Sequence, residues 1–222
     1  YKLKFRFIKD MISVGMAPFL MNSAACAVVI IINKQLYYYN GDLAIGAYGI
    51  VNRVLFLFVM VVLGLNQGMQ PIAGFNYGAR KYQRVTQVLK YTILAATVVL
   101  TAGFVVCELF AGAISRCFTT DPQLVQMSAK GMRIAVSCFP VAALSMVISN
   151  FFQSIRIPSK AIFLSHSRQL IVLLPALFIL PPIFGEAGIW MSLPLSDALA
   201  SIIAIILLRN QFNHFKKLDN AE

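Results

Sequence analysis

Few side chains in this sequence could do chemistry, and those that stand out are charges inside long apolar runs. Asp197 lies about nine residues into the run 189–208, roughly 13 Å deep at 1.5 Å per residue. Arg53 lies about ten residues into the run 43–70, at a comparable depth. Ionisable groups are costly in hydrocarbon and tend to face a cavity or a partner there. Asp197 could take up a proton or a cation. Alternatively it is a structural carboxylate bonded to Ser192, Ser196 or a neighbouring arginine. Arg53 needs a partner, and its depth points to Asp197. A structural ion pair is as good a reading of the two as a transport role, since breaking a buried pair costs far more than the pair contributes. Glu108, near the far end of its run, reaches the interface. Arg168 and Gln169, near the inner end of theirs, either snorkel to headgroups or line an inward-facing cavity. Asn22, Asn52, Asn66, Gln67, Gln70, Asn150 and Gln153 are uncharged polar groups in apolar surroundings. Their default is an interhelical hydrogen bond of about 0.6 kcal/mol each, unless some line a water-filled path.

Catalytic constellations are missing. No nucleophile elbow, no H-E-x-x-H, no phosphate-binding glycine loop and no carboxylate pair occurs. His166 and His214 stand alone, and Cys26, Cys107, Cys117 and Cys138 lack C-x-x-C spacing. No metal site, cofactor or enzyme is expected.

The elements that must position these groups follow from composition. The chain has 222 residues, 59% hydrophobic and only 12% charged, with a mean hydropathy of +0.76. Soluble domains carry about twice that charged fraction, so the expectation is an all-α integral membrane protein in a lipid bilayer. Residues 11–32 carry no charge, about the 20 residues that cross ~30 Å of hydrocarbon. Spans are expected at about 11–33, 43–70, 91–114, 132–152, 161–184 and 189–208, with a basic leader at 1–10 and a polar tail at 209–222. Tyr37, Tyr38 and Tyr39 suit an interfacial belt.

Six spans put both ends on one side. That side holds Lys2, Lys4, Arg6, Lys9, Arg80, Lys81, Arg84, Lys90, Arg156, Lys160, Arg168, Arg209, Lys216 and Lys217, against Lys34, Arg116, Lys130 and Arg133 opposite. The positive-inside rule then places both termini in the cytoplasm. Topology thereby accounts for the net charge of +11, and no nucleic-acid partner is expected.

The stretch 64–80, GLNQGMQPIAGFNYGAR, closes the second span. Gly64 and Gly68, like Gly74 and Gly78, are four apart, a spacing that lets a neighbouring helix approach closely in lipid. Pro71 is expected to kink the helix, and the basic residues from Arg80 to Lys90 to form a turn.

This stretch closely resembles a segment of the multidrug and toxic compound extrusion (MATE) family, at the start of that family's C-terminal lobe. Arg168-Gln169 with Pro175 and Leu180-Pro181, then Gly188-Ile189-Trp190 with Pro194 and Asp197, are similar in the same order. The resemblance implies helices seven to twelve of a twelve-helix transporter, partnered by an N-terminal six-helix lobe. It implies export of small organic cations or amphipathic compounds in exchange for Na+ or H+, by alternating access, across a cell membrane. The chain begins at Tyr1 without an initiator Met, as a piece of something longer would. Asn22, Asn52, Arg53, Gln67, Gln70 and Gln169 are the cavity candidates and Asp197 the coupling or cavity candidate.

One departure stands out. Some branches place a Glu in the first helix of this lobe and an Asp in the fourth, and here both spans lack a carboxylate. The coupling acid is then expected in the other lobe. Two alternatives are a lipid-linked saccharide flippase, which needs a strongly cationic cavity, and a non-transporting truncated lobe.

Overall fold

The computed structural model describes residues 5–219, and the side chains of 23, 25–157 and 159–212. Residues 1–4 of the leader and 220–222 of the tail lie outside the described residues, as do the side chains of the whole leader, of Asn22 and of 213–222. Every regular element described is helical. These are α1 (Phe5–Gly78), α2 (Tyr82–Arg116), α3 (Pro122–Val136), α4 (Phe139–Ser154), α5 (Pro158–His166), a π-helical segment (Ser167–Leu173), α6 (Leu174–Phe184) and α7 (Glu186–Asp219).

An unbroken helix as long as α1 would measure about 110 Å, more than three hydrocarbon thicknesses. Asn40 (φ −138°, ψ 16°) and Gly41 (φ 64°, ψ −150°) break it, the positive φ being one that glycine adopts without strain. Gly185 (φ 63°, ψ −141°) turns the chain in the same way between α6 and α7. The two turns sit side by side. Gln35 and Tyr39 donate to the Leu177 and Pro181 carbonyls of α6. Asn40 donates to Glu186 at the head of α7, and Tyr48 packs on Trp190. These contacts tie the two turns together.

Among the described residues, four helices are long and apolar enough to cross a membrane, or five if α3 and α4, bent by 57°, together form one span. The break at Asn40-Gly41 falls inside the longest of the four. Lipid is as apolar as leucine, so small side chains rather than hydrophobicity draw the helices together. In α2 the buried seam is Val85, Leu89, Ala96, Leu100, Gly103, Cys107, Ala111 and Ser115, while Leu94, Val98 and Leu109 face outward. A Cβ on Gly103 would lie 2.8 Å from Phe58 Cδ1. Helix α4 sits at the centre, with Ala143, Val147, Ile148, Phe151 and Phe152 fully buried, and packs on α1, α2, α5 and α7.

Several expectations change. The stretch 132–152 is not one helix, because Pro140 cannot donate to the Val136 carbonyl and its ring crowds it, so α3 ends there. Pro71 leaves helical backbone on both sides, and α1 continues to Gly78. Gly64, Gly68 and Gly78 have open space where a Cβ would stand, whereas at Gly74 it would lie 3.2 Å from the Ser154 carbonyl oxygen of α4; the tightest approaches fall at Gly103, Gly131 and Gly188. The basic turn shrinks to 79–81, with Arg80 at φ 58°, and Arg84 and Lys90 ride on α2.

Candidate functional site

Helices α4 and α5 and the π segment line a half-open cavity of about 230 Å³ whose wall is half polar in an otherwise apolar lobe. Ser145, Met146, Ser149 and Asn150 come from α4, Leu164, Ser165 and His166 from α5, Arg168 and Gln169 from the π segment, and Ala25 from α1. Pro175 has no N–H, so the ladder upstream of it is one donor short, and the turn at 167–173 widens to π geometry. That widened turn carries Arg168 and Gln169.

Arg168 Nε lies 2.6 Å from Asp197 Oδ1. The contact is an ion pair by distance, although the N–H is not aligned on the oxygen as in a hydrogen bond. The Asp197 side chain is 6% exposed and that of Arg168 38%, so the carboxylate is the dry member and the guanidinium the one that meets the cavity. Ser192 and Ser196 donate to the Gly188 and Leu193 carbonyls of their own helix, leaving the arginine as the carboxylate's partner.

Arg53 is not that partner. It is exposed on α1. Counting residues along a span gives depth but not direction around the helix axis, and matching depths paired the wrong arginine with Asp197.

Other contacts order the wall. Ser149 and Ser165 hydroxyls stand 3.0 Å apart. Asn150 donates to the Met146 carbonyl and accepts from Gln70 Nε2 at 3.4 Å. His166 Nδ1 lies 3.0 Å from the Ile162 carbonyl, which places a proton on that nitrogen.

Of the sequence candidates, Gln169 is in the wall, Asp197 stands behind it and Gln70 reaches it through Asn150. Asn52, Arg53 and Gln67 are exposed on α1 and do not line this cavity. The Ser149–Ser165 pair was missed; serines inside apolar helices carry no distinguishing sequence signal. Also missed was Glu186, which accepts from Asn40 and, at 3.1 Å, from Trp190 Nε1. Its one signal was its place immediately after the Gly185 turn.

The MatE family matches residues 15–178. The chain belongs to the MatE family. Similar MatE relatives include the multidrug export protein MepA of Staphylococcus aureus (strain bovine RF122 / ET3-1), 26% identical over 211 residues, covering 92% of this chain and 45% of that protein. MepA of Staphylococcus haemolyticus (strain JCSC1435) is 24% identical over 207 residues, with the same coverage. The chain spans about half the length of the curated relatives it matches.

In fold it is similar to half of an inward-facing multidrug resistance MATE family transporter of the MOP superfamily (TM-score 0.89, 19% identity, 98% of this chain and 50% of that one). It is also similar to half of an outward-facing one (TM-score 0.86, 19% identity, 98% and 49%). This MatE chain is thus a multi-pass membrane protein with the all-α fold of one transporter lobe.

Proposed function

We propose that this chain is the C-terminal lobe of a secondary antiporter that exports cationic or amphipathic organic compounds. Na+ or H+ enters in exchange, the N-terminal six-helix lobe completes the cleft, and no cofactor takes part. The membrane is the bacterial cytoplasmic membrane, with both termini cytoplasmic, as the basic residues argue.

The observation that carries this reading is the polar cavity beside Arg168 and Asp197 within an otherwise apolar lobe. Polar and charged groups within a membrane-spanning lobe are costly unless they serve a path or a partner. The MepA proteins, named as multidrug exporters, support the substrate class. Similarity to half of both an inward-facing and an outward-facing transporter supports a lobe that keeps its fold while the cleft alternates.

The test is ethidium efflux from everted membrane vesicles containing the full-length protein, driven by an imposed H+ or Na+ gradient. Gradient-driven efflux is expected, and the effective ion names the coupling. Absence of efflux with both gradients would overturn the proposal. Loss of efflux in Asp197→Asn at normal protein levels would put the coupling carboxylate in this lobe, whereas retention would put it in the other.

A further inference from the structure

The wall of the α4–α5 cavity has one permanently charged group, Arg168, and it is positive. The balancing carboxylate of Asp197 is not part of that wall; it is 4% exposed and lies behind the guanidinium. The contact between them runs from Arg168 Nε to Asp197 Oδ1. Among the described residues the terminal guanidinium nitrogens have no partner, and neither has the Gln169 amide, which lines the same wall. A guanidinium is a rigid planar fork, so one edge can hold Asp197 while the other presents two parallel donors to a second acceptor. A cationic group placed there would meet a like charge at short range in a medium that screens poorly. A carboxylate would meet two N–H donors and a compensating charge.

We infer that Arg168 and Gln169 form a subsite for the carboxylate of an amphipathic organic compound. The inference rests on the export reading above and names the part of the exported compound that this lobe recognises. Its volume of about 230 Å³ accommodates one end of a drug-sized molecule rather than the whole, since complete ligand pockets span about 300–1,000 Å³. The rest of the molecule lies in the cleft. Asp197 is a positioning residue in this arrangement: it fixes the guanidinium edge that does not face the ligand. Compounds carrying both a cation and a carboxylate are therefore favoured over plain cations by this lobe.

The test uses the full-length protein in lipid nanodiscs and two fluorescent ligands read by anisotropy. Rhodamine B bears a cationic ring system and a free carboxylate, and its ethyl ester lacks the anionic charge. The ratio of acid to ester affinity should fall about tenfold from wild type to Arg168→Gln, the size of one charge-assisted contact. The fall should come through weaker acid binding with ester binding unchanged. Arg168→Lys, which keeps the charge and loses the fork, should fall part of the way.

Arg168→Gln/Asp197→Asn leaves no uncompensated buried charge and should lose the preference equally, which covers a single variant that fails to fold. A ratio that stays within about twofold of wild type in the folded variants, or a preference lost through tighter ester binding, would overturn the subsite. Ethidium carries no carboxylate, so its gradient-driven efflux reads the export proposal separately. Efflux without the ratio change sinks the subsite alone, and the ratio change without efflux sinks the export reading alone.

Discussion

Arg168 and Asp197 are bound 2.6 Å apart across the contact between the π segment and α7, and the two partners are unequally dry, at 38% and 6% exposure. Removing one member of a buried pair strands the other charge, at a cost of about 3–5 kcal/mol. Arg168→Gln strands the buried carboxylate and should cost that much. Asp197→Asn strands a guanidinium that reaches the cavity and should cost clearly less. The double variant should recover most of the loss. Thermal unfolding of the purified protein in detergent reads all three, and equal losses in the two single variants would contradict the asymmetry.

Asn66 is 1% exposed, and among the described residues neither of its amide atoms has a hydrogen-bond partner. An unsatisfied buried polar group costs about 1–3 kcal/mol. Asn66→Leu, of similar volume, should therefore raise the unfolding midpoint. A lower midpoint would mean that the amide finds a partner in the assembled transporter.

Gly131 packs under Trp190, where a Cβ would come within 2.6 Å of Cζ2. Gly131→Ala should destabilise by about 1–3 kcal/mol through overpacking, and Trp190→Phe should relieve part of that in the double variant. Urea or thermal midpoints of the three variants decide it. Additive losses would show that the ring moves aside at no cost.

Glu186 links the two turns, accepting from Asn40 of α1 and from Trp190 of its own helix. A double-mutant cycle with Asn40→Leu and Glu186→Leu should show a coupling of about 0.5–3 kcal/mol, the range for directly contacting residues. A coupling near zero would mean that the two turns hold their places independently.

Much of this fold could be read along the chain. Low charge and apolar runs of bilayer length determined an all-α membrane lobe, because backbone groups in hydrocarbon must be satisfied within a helix. The gaps between expected spans, 33–43 and 184–189, bracketed the turns at Asn40-Gly41 and Gly185, where glycine accepts the positive φ that a reversal needs, although helix α1 runs on to residue 39 before it breaks. The stretch around Pro71 carried the resemblance that membership of the MatE family later matched.

What sequence alone could not decide was which side chains meet. Pro71 and Pro140 look alike on paper, yet only the second ends a helix. Small residues at Gly64 and Gly68 suggested a packed seam, and the seam runs through Gly103, Gly131 and Gly188 instead. Matching depth pointed to Arg53 as the partner of Asp197, and the packing of the helices chose Arg168. Periodicity and hydropathy report distance along a helix and the local cost of burial. The direction in which a side chain points depends on how the apolar helices pack against one another, and in lipid that packing is settled by close shape contact between helices rather than by any pattern within one of them.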